Sequence, residues 1–255
     1  MKVGIIGYSG FVGSAFLKVF SKDKQYSIVG INRKNYNEMR KVHFDILINA
    51  DGNSSKILAE KNPQLDFEMN VLSTLKFLYG LTYNQYVHIS TIEVYNDKST
   101  QKTTSESQKI DPTLLSSYGF SKYCAEIVVQ QHAKNWIILR LGGMVGENMK
   151  KGPVYDTTNL GKIFVSEKSR FQFIDTIIVA NIAKHLLERK RFGEIYNIAG
   201  KGNIRLSEFA QQYGIRFSSV GKEELHYNVN TKKIEREFKI PTSKSIILEF
   251  IKKNK

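Results

Sequence analysis

The sequence predicts a doubly wound α/β fold, a parallel sheet covered by helices on both faces, built as one domain of 255 residues. Short runs rich in Val and Ile are apolar at successive positions, as strands buried on both faces are, and stretches of helical periodicity alternate with them. A glycine-rich turn from Gly7 to Gly13 follows the first run directly and opens the first helix.

Taken in order, Val3 to Ile6 reads as the first strand and Gly13 to Phe20 as the helix after it. Ser27 to Ile31 is a second strand and Asp45 to Ala50 a third run. Only about ten residues separate Lys34 from Asp45, too few for a helix, a strand and a second helix, so the usual third strand at the sheet edge is expected to be missing or vestigial. Further on come a helix from Asp66 to Tyr79, a strand from Tyr86 to Ser90, a helix from Tyr118 to Ala133 and a strand from Trp136 to Arg140. Past Leu141 the pattern loosens through Gly142, Gly143, Gly146, Gly152 and Pro153. It returns as a helix over Asp175 to Arg189, a strand over Glu194 to Ile198, a helix over Ser207 to Tyr213 capped by Ser207, and a final helix from Ser243 to Lys252. Residues 1–145 are therefore expected to form the main sheet, and residues 146–255 a small C-terminal lobe whose late strands return to it.

Composition narrows the classes. The apolar share is 41%, with 15 Phe and 13 Tyr, ample for a core. The net charge of +14 is spread along the chain, which suits solubility and an anionic ligand such as a nucleotide. No basic and aromatic interleaving marks a nucleic-acid surface, so nucleic acid is not an expected partner. Cys124 is the only cysteine, which precludes an intramolecular disulfide and a multi-cysteine zinc site, and no His spacing suggests a metal. No window approaches the roughly 20 apolar residues of a membrane span, and the N-terminal segment lacks the features of a signal peptide. A cytoplasmic location is expected.

Gly7-Tyr8-Ser9-Gly10-Phe11-Val12-Gly13 has GxxGxxG spacing. In this position glycines allow a tight turn, let the backbone approach a pyrophosphate and let helix pack on strand, while the N-terminus of the helix faces the phosphates. This is the dinucleotide loop of a Rossmann-type sheet, with an ordinary strand-to-helix turn as the plainer alternative. A carboxylate closing the second strand holds ribose hydroxyls in such folds, and basic residues accommodate a 2′-phosphate. Here the strand ends in Asn32, Arg33 and Lys34, which favours NADP, with NAD as the alternative.

Ser90 and Thr91 end a buried strand, where open α/β sheets present their sites. Tyr118 and Lys122 follow at i and i+4 on one helical face. A phenol with a pKa of ~10 is a poor acid or base at neutral pH. A nearby ammonium and an oxidised nicotinamide are expected to lower it, letting Tyr118 exchange a proton with a substrate oxygen that Thr91 also contacts. Hydride transfer is the chemistry of the cofactor. Alone, a Tyr and a Lys four apart are common; after a glycine loop and a Ser-Thr strand end, in this order, they form a constellation.

These residues together resemble the extended short-chain dehydrogenase/reductase superfamily, in its nucleotide-sugar epimerase, dehydratase and reductase branch. The likeness also rests on Ile48-Asn49-Ala50, Asn70 to Thr74, His88 to Tyr95, Arg140-Leu141-Gly142, Val145-Gly146, Tyr196 to Gly200 and Lys232 to Phe238. It implies a Thr91, Tyr118 and Lys122 triad, with Lys122 on the nicotinamide ribose. It also implies a cofactor held by Gly7, Ser9, Gly10, Phe11, Val12, Gly13, Asn32, Arg33, Lys34, Ala50, Asp51, Gly52, Ser90, Leu141 and Gly142 as well as Tyr118 and Lys122. His88 to Tyr95 is similar to the strand end of sugar 4,6-dehydratases, where Asp-Glu follows the Thr as acid and base. Here the pair is Ile92-Glu93, and isoleucine cannot donate a proton. The resemblance thus implies an NADPH-dependent reductase of a 4-keto nucleotide sugar first and an epimerase with retained cofactor second. Under the later lobe, Arg170 and Arg205 are candidates for the substrate pyrophosphate, and Glu93 for a sugar contact or a structural carboxylate. A homodimer through the two long helices of the catalytic half follows from the resemblance too. A cofactor-binding sensor without activity is the reading from another class, and an intact triad argues against it. Cys124 is expected to be a buried, inert thiol and His88 a packing residue.

Overall fold

The computed structural model describes residues 1–212 and 214–254. A parallel sheet of six strands forms the centre: β1 (Lys2–Ile6), β2 (Ser27–Ile31), β3 (His43–Asn49), β4 (Thr82–Thr91), β5 (Trp136–Leu141) and β6 (Glu194–Ile198). Their order is β6-β5-β4-β3-β1-β2. Because β2 is the edge, the further strand that the short Lys34 to Asp45 interval left no room for is indeed missing. A single helical turn, Tyr36–Met39, returns the chain to β3. Buried Tyr36 anchors that turn by donating from its hydroxyl to the Lys76 carbonyl at 2.9 Å.

Successive residues of the central strands face opposite layers, which is why the runs are apolar throughout. Val3, Ile5, Ile46, Ile48, Val87, Ile137 and Leu139 pack with Phe16 and Phe20 of helix α1 (Phe11–Phe20) in one cluster. Ile6, Phe44, Leu47, Tyr86 and Ile138 pack with Phe77, Leu78 and Val129 in the other. Pairing of Ile6 with Ile31 and Asn49, and of Leu141 with Thr91 and Ile198, brings the carboxyl ends of all six strands to one edge. A ligand crevice is expected along that edge.

Helix α2 spans residues 63–80 and begins earlier than the Asp66 that periodicity indicates, because Pro63 suits a first helical position and Asn62 caps it, accepting from the Leu65 N–H at 3.0 Å. Its middle, Glu68–Leu72, is a π-helical turn, a feature frequent at functional sites. Helix α3 is Ser117–His132 and helix α4 is Thr176–Glu188, the latter capped by Asp175.

The chain after β5 makes short paired segments: Gly143–Val145 with Phe173–Asp175, Arg170–Phe171 with Ile204–Arg205, and Lys162–Ile163 with Ser218–Ser219. The helix expected from Ser207 starts at Leu206, so Ser207 lies inside its first turn and is not its cap. Tyr213, its expected end, lies outside the described residues. Helix α5, Ser243–Asn254, closes the fold.

Candidate active site

The glycine loop forms the floor of the crevice. Gly7 has φ +75°, and a Cβ there would lie 2.8 Å from the Ala50 carbonyl oxygen at the end of β3, so the turn needs glycine twice over. A Cβ on Gly13 would overlap the Gly7 carbonyl, which is how closely α1 approaches the loop. Gly10 caps α1 without a side-chain hydrogen bond. The N–H groups of Phe11, Val12 and Gly13 have no acceptor inside the helix and, with exposed Ser9 and Gly10, make an anion site. The exposed Asn32, Arg33 and Lys34 stand at the end of neighbouring β2. Asp51 and Gly52 continue from Ala50, the N–H of Asp51 donating to Asn49 Oδ1 at 3.2 Å. Leu141 and Gly142 are buried at the end of β5 and offer only a wall. This cradle, with glycines at positions 7, 10 and 13 and no side-chain cap on α1, fits the pyrophosphate of a nicotinamide dinucleotide.

Helix α3 carries the candidate reacting groups. Ser116 caps it, accepting from the Gly119 N–H at 3.2 Å. A Cβ on Gly119 would meet the Glu93 carbonyl oxygen at 2.5 Å, so glycine lets the first turn of α3 press against the end of β4. Tyr118 is buried there and hydrogen-bonds the Thr91 hydroxyl. One turn on, buried Lys122 donates from Nζ to the Ile89 carbonyl at 2.7 Å. The structure therefore brings all three triad residues together.

The electrostatics differ from the sequence expectation. Burial raises the Tyr118 phenol well above its ordinary range, the charges of Glu93 and Asp66 add to the rise, and the Thr91 hydrogen bond only partly opposes it. Burial also lowers Lys122 to about 8, against the opposing charges of Glu126, Asp66 and Asp51. Burial is the largest cause of the rise in the phenol. Tyr118 thus holds its proton, while Lys122 is cationic below about pH 8 and neutral above it. Turnover that draws on the Lys122 cation should accordingly lose kcat/KM above about pH 8, and Lys122→Arg, which cannot deprotonate, should carry the fall to higher pH. A wild-type profile that stays flat well past that pH would refute this assignment.

Other site residues are redirected. The Ser90 hydroxyl points into the interior and donates to Glu126, leaving Ser90 only its backbone for a cofactor. Glu126 in turn holds Arg140 by three contacts, Nη2 to Oε2 at 2.7 Å, Nε to Oε1 at 3.0 Å and Nε to Oε2 at 3.2 Å. Arg140 continues to the Tyr95 hydroxyl at 2.9 Å, and that hydroxyl donates to Asn197 Oδ1 at 2.8 Å. A second network holds the helices in register: Asp66 accepts from Ser121 of α3, from Asn53 at 2.6 Å and from Asn70 of the π-turn at 2.8 Å. Neither network was singled out from the sequence.

Glu93 meets Lys56 Nζ at 2.6 Å, Lys98 Nζ at 3.6 Å and the Tyr227 hydroxyl at 2.8 Å. Burial alone would raise its carboxyl, but Lys56, Lys98 and the hydrogen bond from Tyr227 outweigh it and hold the group below the usual range. A carboxylate kept ionised in this way is not a proton donor. Lys56 and Tyr227 were missed in the sequence, where nothing but their side-chain type distinguishes them. Arg170 and Arg205 face each other across the short antiparallel pair. The Arg170 carbonyl accepts from the Tyr227 N–H at 2.9 Å, which connects the Arg170 backbone to Glu93 through Tyr227, while the Arg205 side chain pairs with Glu208 at 3.8 Å. His88 is fully buried and stacks on Tyr86. Cys124 is half-buried, and burial raises its thiol above the ordinary range. Among the described residues no group of three His, Cys, Asp or Glu could hold a metal ion, and no helix is long and apolar enough to cross a membrane.

With this geometry in place, comparison with known families is decisive: the family described as NAD dependent epimerase/dehydratase matches residues 3–199. The chain belongs to that family. It is accordingly an enzyme of the NAD-dependent epimerase/dehydratase kind. Solved structures share its fold over nearly the whole length. RMD from Pseudomonas aeruginosa, complexed with NADPH, is similar at a TM-score of 0.82 with 16% identity, covering 99% of each chain. UDP-glucuronic acid 4-epimerase from Bacillus cereus, as a variant with a fluorinated UDP-sugar and NAD, reaches 0.82 with 18% identity and covers 100% of both. dTDP-4-dehydrorhamnose reductase from Bacillus anthracis, in complex with NADP, reaches 0.80 with 17% identity, covering 99% of this chain and 98% of that one. No curated protein matches the sequence.

Proposed function

We propose that this family member is an NADPH-dependent reductase of a 4-keto nucleotide sugar. The observation that carries the reading is the placement of a buried phenol, Tyr118, beside Thr91 and one helical turn from the buried Lys122. Reduction of a ketone leaves negative charge on oxygen and needs a proton donor at that atom. A reduced nicotinamide, when bound there, would supply the hydride for the carbonyl carbon. Tyr118 gives its proton to the carbonyl oxygen, and Thr91 holds the same oxygen. Lys122, as a cation, stabilises the phenolate that results. Cations at Arg33 and Lys34, which have no ion-pair partner among the described residues, support NADP as the exchangeable cofactor.

Arg170 and Arg205 are the proposed ligands of the sugar nucleotide's pyrophosphate. Like charges directly opposite across a strand pair are unfavourable, and an anion between them relieves that. The later lobe is then the substrate side, and Glu93 with Tyr227 lines the sugar end. The likeness to the UDP-glucuronic acid 4-epimerase, as high as that to the reductases, keeps epimerisation with retained cofactor as the second reading. Incubation with NADPH and a panel of 4-keto-6-deoxy nucleotide sugars tests the proposal. Loss of the reduced-nicotinamide absorbance with one of them supports it, and NADPH binding without turnover of any sugar nucleotide points to a sensor.

The same reading includes a cytoplasmic homodimer. Leu65, Leu72 and Tyr79 recur every seventh residue on α2, as Phe120 and Ile127 do on α3, and all five are exposed. Light scattering should give twice the mass of one chain, and Leu72→Glu should return it to one. A monomeric wild-type protein would exclude this assembly.

A further inference from the structure

The nucleotide end of β2 carries a feature that the glycine loop and the two cations do not explain. The second residue of the loop is Tyr8, and its ring lies flat against the backbone of Gly30. A Cβ on Gly30 would fall 2.6–2.8 Å from three ring atoms, so glycine there makes the seat for the ring. The Tyr8 hydroxyl reaches Asn32, whose Nδ2 donates to it at 3.4 Å. Having accepted that bond, the phenol keeps its own hydrogen for an outside acceptor.

Asn32 is itself fixed. Its Oδ1 accepts from the N–H of Lys34 at 2.8 Å and of Asn35 at 3.2 Å. Its own N–H donates to Asn35 Oδ1 at 2.8 Å, and Asn35 Nδ2 donates to the Gly30 carbonyl at 2.8 Å. This reciprocal pair uses the acceptor oxygen of Asn32 inside the turn and turns its amide hydrogens towards Tyr8. The groups left facing out at the end of β2 are the Tyr8 O–H, the Asn32 amide and the side chains of Arg33 and Lys34. Residues 30–37 include no carboxylate. A ribose diol calls for an acceptor such as a carboxylate, whereas donors and cations without one suit a phosphate.

We propose that Tyr8 is a specificity-determining residue for NADP, its hydroxyl donating to an oxygen of the 2′-phosphate beside the Asn32 amide, Arg33 and Lys34. The inference rests on the reading of the cofactor as NADP. The edge of the sheet suits the role: among the described residues no strand lies beyond β2, and the Tyr8 ring on Gly30 provides surface at that place.

Titration calorimetry on the full chain with NADPH, NADH, 2′,5′-ADP and 5′-ADP tests it without relying on turnover. Tyr8→Phe keeps the ring on Gly30 and removes only the hydroxyl. It should weaken NADPH and 2′,5′-ADP about tenfold, the scale of a lost hydrogen bond to a charged group, and leave NADH and 5′-ADP unchanged. Asn32→Asp should shift preference further towards NADH. A wild-type preference for NADPH that Tyr8→Phe leaves intact, or an equal loss for all four ligands, overturns the role of Tyr8 alone. Equal wild-type affinity for NADPH and NADH overturns the cofactor reading and this inference with it.

Discussion

Tyr118→Phe is expected to lower kcat for ketone reduction about a hundredfold to ten-thousandfold, the contribution of a positioned proton donor, while leaving NADPH affinity nearly unchanged. The ring remains to fill its buried place against Thr91 and the end of β4, so the fold is retained and only the transferable proton is lost. Steady-state kinetics with the accepted sugar nucleotide, together with cofactor fluorescence titration, reads both quantities. Retained kcat would remove Tyr118 from the chemistry. A parallel collapse of cofactor affinity would make its role structural.

The largest effect on stability is expected at Glu126. Its carboxylate is fully buried against Arg140, itself 3% exposed at the side chain, and it also accepts from Ser90. Glu126→Ala would strand a guanidinium in the interior, at a cost of about 3–5 kcal/mol, because the desolvation of Arg140 is no longer offset. Replacing both partners by apolar residues of similar volume, Glu126→Leu with Arg140→Met, should recover much of that loss, since a buried pair gains little over good packing. Denaturant unfolding of the two variants beside the wild type measures this. A loss below about 1 kcal/mol for Glu126→Ala, the scale of a surface pair, would show that water reaches the site and that Arg140 is not held in place by Glu126.

Much of this architecture can be read from local sequence. The loop from Gly7 to Gly13 reveals itself because the glycines are needed by backbone geometry a few residues away. Tyr118 and Lys122 are visible because helical spacing alone puts them on one face. Even the missing edge strand follows from chain length, as too few residues lie between Lys34 and Asp45. What stays hidden depends on partners far along the chain. Glu93 finds Lys56 at a separation of 37 residues and Tyr227 at 134, and Tyr95 finds Asn197 at 102. The rise of the Tyr118 phenol is hidden for the same reason, because the burial behind it comes from the packing of α3 against the turn that follows β4. The turn of Ser90 away from the crevice likewise depends on Glu126, a residue on another element.

The most direct test of the account is the fate of hydride during one turnover. NADPH carrying deuterium at the transferred position should place one deuterium on C4 of the product sugar, with one NADP formed for each alcohol. Interconversion of C4 isomers with no net oxidation of cofactor and no deuterium in the product would contradict it, and would make the enzyme an epimerase.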